Sequence, residues 1–282
     1  MQKIIRYVCL AFLLLSAESA LSQVEVMEDL IPDPELHISR QHSFFGHVHS
    51  GGFGLGFRWG NIRSIERYTF QEVEFLQLRH PKAERRSGFS FVGSPRRFIF
   101  GGINQLYALR YGFGTQRTLS EKPYWGGIQV DYTISIGGVL GLAIPQYLGI
   151  LYLRDPVPPF GENPWEVRFQ RFDPDNDAHM GAGPGLINGM GPMFRGLFNL
   201  RPYPGIYARF AFNFDFGRYQ ERVSALEVGV MVDVFPIPVP MMAIQNPNPV
   251  PDPIPDDWRT FVPDRNFFFL NFYIAYHFGR RR

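Results

Sequence analysis

Residues 266–279 read NFFFLNFYIAYHFG, close to the last residue of the chain. Every second residue from Phe268 to Phe278 is apolar or aromatic, whereas the residues between them become mixed and polar towards Gly279. Because successive side chains of a strand point to opposite faces, this pattern predicts a strand with one apolar face. Such a strand suits a soluble sheet, or a membrane barrel in which about 9–11 residues cross the wall.

The amino terminus has the features of a secretory signal peptide. Lys3 and Arg6 precede an apolar run at 8–15, and small residues follow at 20–22. The run is too short to span a bilayer, so we predict a signal peptide at 1–22 and not an anchor. Cys9, the only cysteine of the chain, lies inside it, which leaves the mature chain without disulfide or thiol chemistry.

Composition favours a barrel wall. Aromatic residues make up 16% of the chain, and 28 of its residues are Phe. After residue 22 no apolar run is long enough for a helical span. The formal charge of +2 gives no electrostatic argument for binding nucleic acid. Outer-membrane lipid is the expected surrounding.

The same alternation recurs along the chain and predicts an all-β, antiparallel transmembrane barrel of eight strands. The predicted strands are 53–60, 65–78, 97–116, 128–137, 147–154, 206–216, 226–234 and 266–279. In the second, Tyr68 and Phe70 differ in parity from Val73 and Phe75, which predicts a bulge. An even number of strands places both termini on one side, the periplasm.

The predicted connections are unequal in length. Long Pro- and Gly-rich loops at 155–204 and 236–265 are assigned to the outer face, and short turns at 141–146 and 217–222 to the periplasm. The connection 79–96 is long, yet it falls on the periplasmic side. An extra hairpin that pairs 89–92 with 97–100 would remove this conflict and give ten strands. Residues 23–42 are predicted to be a polar periplasmic leader, and residues 43–282 the barrel.

Several segments resemble a group of outer-membrane β-barrel proteins from Bacteroidota. They are PGIYAR at 204–209, NFDFG at 213–217, ALEVGV at 225–230, VFPIPVPMMA at 234–243 and HPK at 80–82. The aromatic strand that ends near Phe278 also resembles the carboxyl-terminal signal for barrel assembly. The resemblance implies an outer-membrane location and a barrel, but no activity and no site residues.

Charged residues on the inward parity predict a network inside the barrel. It comprises Arg58, Arg110, Asp131, Arg209, Asp215, Glu227 and Asp233. The interior of an eight-stranded barrel is just wide enough to be filled by side chains, and buried charges must be paired. We therefore expect a structural plug, whereas a ten-stranded barrel would leave a narrow polar path for small solutes.

Two other constellations have alternative interpretations. Asp173, Asp175 and Asp177 resemble the opening of a calcium loop, but Ala178 and Pro184 replace the Gly and Glu of an EF-hand. They predict a solvated acidic turn or a weak calcium site, and no other cofactor is expected. His42, His47 and His49 suggest a polar barrel rim or a transition-metal site. Ser50 adjoins His49, so on a regular strand their side chains face opposite sides, whereas a nucleophile–base pair needs both side chains on one face.

The loops suggest contact with a partner. Residues 236–265 contain nine prolines, which favour an extended segment that docks on another protein or lies over the barrel mouth. The apolar side chains at 181–203 are expected to pack onto the barrel top or a neighbour. We predict a non-enzymatic scaffold or accessory subunit of an envelope complex, with contacts through 155–204 and 236–265. The alternatives are a narrow porin-like channel and a lipid-modifying membrane enzyme.

Overall fold

The structure is a computed structural model that describes residues 39–64, 66–88, 96–121, 127–156, 158–159, 162–173, 179, 187–217, 221–245 and 261–282. Its strands, in chain order, are β1 (Arg40–His49), β2 (Gly52–Ile62), β3 (Arg67–Leu78), β4 (Arg85–Ser87), β5 (Arg97–Ile99), β6 (Asn104–Ser120), β7 (Gln129–Pro145), β8 (Tyr147–Leu153), β9 (Trp165–Arg171), β10 (Ile187–Met190), β11 (Arg201–Asp215), β12 (Arg222–Gln245) and β13 (Phe261–Arg281). Among the described residues no helix is long and apolar enough to cross a membrane.

Eight of these strands form a closed antiparallel barrel in the order β1-β13-β12-β11-β7-β6-β3-β2. The ring closes where β1 pairs with β13, with Val48 opposite Ile274 and Gln41 opposite Arg281. The predicted fold class and the strand number of eight are therefore confirmed. Of the predicted extra hairpin, 89–92 lies outside the described residues. Its predicted partner overlaps β5, which pairs with β4 outside the barrel.

Alternation decides which side chains face the lumen. In β13, Tyr273 and His277 are buried, whereas Phe272 and Ile274 are exposed on the outer face. The other long strands show the same division, and β3 keeps it without the predicted bulge. Tyr68 and Phe70 point inward with Glu72 and Glu74, because the alternation is unbroken from Arg67 to Leu78. The result is a membrane β-barrel with an apolar outer face and a polar and aromatic interior.

Two strand predictions were wrong, and their errors cancelled in the count. The barrel has an additional first strand, β1, which begins at Arg40, three residues before the predicted start of the barrel at 43. The predicted strand at 147–154 is instead β8, which pairs with β9 and β10 in a separate three-stranded sheet. Seven residues are too few to cross a tilted barrel wall, and β8 is buried over consecutive positions without alternation.

The additional strand also corrects the assignment of connections to the two ends. We call the end with Arg40 and Arg281 the terminal end, and the opposite end the loop end. The connection 79–103 now begins and ends at the loop end, as does 146–200, which removes the conflict over its length. Gln245 of β12 pairs with Phe261 of β13 at the same end. The segment 141–146 is not a turn at the terminal end, because β7 runs to Pro145 at the loop end. Only the short connections 63–66, 121–128 and 216–221 lie at the terminal end.

Beyond the barrel wall, the loop end carries ordered structure. Strands β12 and β13 continue as a paired hairpin to Gln245 and Phe261, where a loop was predicted, with register shifts near Val239 and Met242. Phe98, Leu148, Ile150, Phe172, Ile187 and Ala243 form one apolar cluster. This cluster joins β5, the β8–β9–β10 sheet and β12. We call β4–β5 and β8–β9–β10 the loop-end sheets.

Candidate functional site: a charged and filled lumen

Three buried arginines occupy the middle of the lumen. Arg58 on β2, Arg110 on β6 and Arg209 on β11 are 1%, 0% and 3% exposed. The inward parity places them there, and glycines on neighbouring strands make room for large side chains. A Cβ on Gly56 would overlap the ring of Phe45, and one on Gly137 would lie 2.8 Å from Cε1 of Tyr207.

Arg58 and Arg209 share two carboxylates. Arg58 donates from Nε and Nη2 to Oε2 of Glu72 at 3.1 and 2.9 Å, and from Nη1 to Oε2 of Glu227 at 2.8 Å. Arg209 donates from Nη1 to the same Oε2 of Glu72 at 3.3 Å, and from Nη2 to Glu74. Its Nη1 also lies 4.0 Å from Oε1 of Glu227.

Arg110 extends the network along the lumen. It donates from Nε and Nη2 to the two oxygens of Asp233 at 2.9 and 2.5 Å, a bidentate pair. Its Nη1 donates to Oε2 of Glu74 at 3.2 Å. Three guanidinium groups therefore hold four carboxylates in one continuous cluster that spans strands β2, β3, β6, β11 and β12.

Neutral side chains complete the shells of the carboxylates. Oε1 of Glu72 accepts from Ser135 Oγ at 2.8 Å and from Tyr207 OH at 3.1 Å. Oε1 of Glu227 accepts from Tyr273 OH at 2.5 Å. The imidazole of His47 lies 3.0 Å from Glu74 Oε1, and the His277 ring lies 3.3 Å from Glu227 Oε2. These contacts make the carboxylates partners of the arginines and of neighbouring hydroxyl and imidazole groups inside the lumen.

Aromatic rings fill the space beside the guanidinium groups. The Cζ atom of Arg58 lies 4.2 Å from the ring centre of Phe70 and 5.4 Å from that of Phe45. Arg209 lies 5.1 Å from the ring of Tyr273 and 5.7 Å from that of Phe45. These distances are those of cation–π contacts, which strengthen when water is excluded.

The lumen is filled by apolar side chains between the charge network and the loop end. The cluster comprises Leu76, Leu78, Leu106, Ala108, Val139, Ala143, Tyr203, Tyr207, Phe235, Val239, Met241 and Phe269. Leu106, Phe235 and Val239 are 0% exposed. Leu106, an apolar residue on the inward parity of β6, thus belongs to this packed layer. Packed apolar side chains above paired charges close the described part of the lumen.

Two of the predicted lumen residues lie apart from the network, nearer the terminal end. Asp131 accepts from Gln116, Thr118 and Gln129 at 2.7, 2.9 and 2.8 Å. Asp215 accepts from Arg281 at 2.6 Å. The structure therefore brings Arg58, Arg110, Arg209, Glu227 and Asp233 together and places Asp131 and Asp215 in separate polar clusters.

The sequence interpretation missed two of the four carboxylates in the network. Glu72 and Glu74 lie on β3 and are each 1% exposed. The assumed bulge hid them, because it divided β3 into two phases. Strict alternation from Tyr68 through Phe70 would have placed both acids in the lumen.

The histidines do not form the predicted rim cluster. His42 is exposed on the outer face beside Phe57, whereas His47 lies inside against Glu74. His49 lies at the loop end of β1, with its ring centre 5.5 Å from that of His47. Ser50 donates to Oδ1 of Asn271 at 2.9 Å, and Nδ1 of His49 accepts from the backbone of Gly51. The described contacts of these two side chains thus do not form a nucleophile–base pair.

The predicted acidic loop lies mostly outside the described residues, which include Asp173 but neither Asp175 nor Asp177. Weak calcium binding there stays a prediction. The backbone of Asp173 donates to Nδ1 of His179 at 2.9 Å, and burial lowers the pKa of this histidine. Within the described ranges, no three His, Cys, Asp or Glu residues converge in a geometry that could hold a metal ion.

Comparisons with known proteins add a distant structural likeness. No family model and no curated protein matches the chain. Among solved structures, the chain is similar to the crystal structure of Neisserial surface protein A, with 4% identity and a TM-score of 0.35 over 87% of this chain and 97% of that one. At that score the likeness carries no argument about function.

Proposed function

We propose that the protein is an integral outer-membrane barrel without enzymatic activity, which acts as a scaffold or accessory subunit of an envelope complex. The filled lumen is the observation that carries the proposal. A barrel whose interior is occupied by paired charges and apolar side chains offers neither a solute path nor a substrate pocket there. What remains for recognition is the ordered loop end.

Membrane insertion is supported by the outer face. Large apolar side chains are exposed on β1, β2, β6, β7, β11 and β13, including Val48 at 69%, Leu55 at 68% and Phe272 at 64%. Exposed apolar surface that encircles a protein is unfavourable in water and matches a lipid surrounding. The long connections 79–103 and 146–200 lie at the loop end, and the connections at the terminal end are short. This difference supports an orientation with both termini in the periplasm.

The loop-end sheets are the proposed contact surface. They pack against β12 through the apolar cluster that includes Phe98, Ile150 and Ala243. The segment that follows β5 is also bonded to β12, with the Ile103 amide donating to the Met241 carbonyl at 2.9 Å and the Ala243 amide to the Gly101 carbonyl at 2.7 Å. Beside them, a short 3₁₀ helix, Met193–Asn199, exposes Phe198 at 97%. A fixed sheet with a protruding aromatic side chain suits protein recognition, since aromatic residues are enriched at interaction hot spots.

The test is site-specific photo-crosslinking in native membranes. We expect a crosslinker at Phe198 or at Arg168, an exposed residue of β9, to give one discrete protein adduct. A crosslinker at Phe272 on the lipid face is the matched control and is expected to give no protein adduct. Absence of an adduct from both loop-end positions would contradict the scaffold role, and steady ion conductance by the purified protein would favour a channel.

A further inference from the structure

A groove of about 720 Å³ crosses the outer face of β2, β3, β6 and β7 near the terminal end. Short or polar outward side chains, Thr69, Gln71 and Thr115, form its floor. Trp59, Phe113 and Ile134 are among the larger residues that flank it. This volume lies within the range of about 300–1,000 Å³ that is usual for small-molecule sites.

Strand register explains the groove. Thr69 lies between Asn61 on β2 and Thr115 on β6, so one row of neighbouring positions has no large side chain. In the adjacent row, Gln71 lies between Trp59 and Phe113. The groove is continuous with the apolar outer face, but its floor is polar. Thr69 donates to the Asn61 carbonyl at 3.4 Å and Gln71 accepts from the Tyr111 hydroxyl, whereas Oγ1 of Thr115 has no hydrogen-bond partner within the described structure, which is costly in a hydrocarbon surrounding.

Four arginines surround the terminal end of this groove. Arg40 and Arg63 line it, and Arg67 lies directly opposite Arg117 one row nearer the terminal end. The turn after β2 holds Arg63 beside Arg67, because the Arg63 amide donates to the Arg67 carbonyl at 2.8 Å. Like charges directly opposite each other on adjacent strands are destabilising, so the arrangement calls for an anion.

No described carboxylate neutralises these charges. The ion pairs of the described residues include none from Arg40, Arg63, Arg67 or Arg117, although every lumen arginine is paired. The Nε atom of Arg67 is buried and lacks a hydrogen-bond partner within the described structure. Guanidinium groups bind phosphate oxygens by paired, charge-assisted hydrogen bonds.

We propose that this groove binds one glycerophospholipid with an anionic headgroup from the leaflet around the terminal end. Its phosphate lies among Arg63, Arg67 and Arg117, and an acyl chain runs along the groove against Trp59 and Phe113. The site rests on the membrane insertion argued under the proposed function, but not on the scaffold role. A lipid is favoured over a soluble anion because the groove opens onto the lipid-facing surface.

Native mass spectrometry of the barrel released from mixed micelles tests the site. With phosphatidylglycerol and phosphatidylcholine offered in equal amounts, we expect one retained phosphatidylglycerol per barrel. Arg63→Gln with Arg117→Gln should weaken retention by about fivefold for each charge removed. Arg222→Gln removes a charge at the same end on β12, away from the groove, and should leave retention unchanged.

A second pair of variants separates the groove from simple charge attraction. Thr115→Phe fills the floor while all four arginines remain, and it should abolish selective retention. Val73→Phe adds the same ring on the outer face of β3 outside the groove and should have no effect. Equal retention in Thr115→Phe and wild type would overturn the proposal, as would equal retention of the two lipids by wild type.

Two further arms identify the source of the phosphate. Inorganic phosphate should not displace the bound lipid, and displacement would assign the site to a soluble anion. Preferential retention of lipid A would mean that the outer leaflet, and not the inner one, surrounds the terminal end of the barrel. This result would also overturn the proposal. Loss of the lipid site can be distinguished from failure of membrane insertion. Variants that insert and remain heat-modifiable but lose the lipid would contradict the lipid site alone and leave the proposed function intact.

Discussion

Removal of the Glu227 carboxylate is the sharpest perturbation of the lumen. Glu227 is 0% exposed, and it accepts from Arg58 at 2.8 Å and from Tyr273 at 2.5 Å. In Glu227→Ala, Arg58 keeps Glu72 as its one carboxylate partner among the described residues, and the Tyr273 hydroxyl loses its acceptor on Glu227. The substitution also leaves a cavity beside His277, whose ring lies 3.3 Å from the lost oxygen.

The magnitude follows from burial. Breaking a buried ion pair by removing one partner costs about 3–5 kcal/mol, because the remaining charge is uncompensated. For a barrel of this size, each kcal/mol lowers Tm by about 2–4 °C, so we expect a fall of roughly 10 °C. Glu227→Gln keeps one carbonyl oxygen, which can accept from only one of these two donors, so its Tm should fall by less than that of Glu227→Ala.

Thermal unfolding in detergent, followed by circular dichroism and by the shift between unheated and boiled samples on gels, measures the effect. Glu166→Ala is the matched control, because Glu166 pairs with Arg168 at the surface and such pairs contribute about 1 kcal/mol or less. In the double variant Arg58→Ala/Glu227→Ala the losses should be less than additive. A Tm of Glu227→Ala equal to that of wild type would refute a dry, charge-paired lumen.

Three further outcomes are expected. Val230→Arg, on the outer face of β12, should lower the yield of assembled barrel, because an arginine facing lipid costs about 2–4 kcal/mol, whereas Val230→Leu should assemble normally. Equal yields of the two variants would show that Val230 does not face lipid. Gly56→Ala should lower Tm, because its Cβ would overlap the buried Phe45 ring, while Gly138→Ala, with open space around its Cβ, should not. Equal Tm values of the two variants would contradict the close packing of Phe45 against Gly56. His80 accepts from the Lys82 amide and contacts Asp264, both at 3.1 Å, and burial lowers its pKa although Asp264 opposes the shift. The neutral form of His80 is therefore favoured in the folded protein, with Nδ1 as the acceptor for the Lys82 amide. The protection factor of this amide in hydrogen exchange should fall as pH drops below about 6.5, because protonated Nδ1 can no longer accept. Protection that does not depend on pH would contradict an accepting Nδ1.

Much of the barrel could be predicted because membrane strands obey one strong rule. Outward apolar residues such as Val228, Val230 and Val232 alternate with inward Glu227 and Asp233, and a period of two fixes both faces. The same rule placed all three lumen arginines correctly by parity. It could not say which carboxylate each arginine meets, because that depends on strand register, as for Arg58 opposite Glu72, and on contacts across the lumen, as for Arg58 with Glu227.

The missed elements have physical causes. In β1, outward Phe44 and Val48 are separated by Gly46, and inward Ser43, His47 and His49 resemble a polar loop. In β8 the sequence YLGILYL is apolar throughout, which does not distinguish a membrane strand from the centre of a small buried sheet. The groove with its arginines was invisible to sequence, since it depends on which rows of β2, β3 and β6 lie side by side.

The most direct test of the closed membrane barrel is single-channel recording of purified protein in planar bilayers. The filled lumen predicts that the barrel inserts, as shown by protease protection in parallel vesicles, and gives no steady conductance. Glu227→Ala should remain silent while it lowers Tm. Discrete channels in wild type, with a cation preference that changes in Glu227→Ala at unchanged stability, would contradict the account and establish a pore.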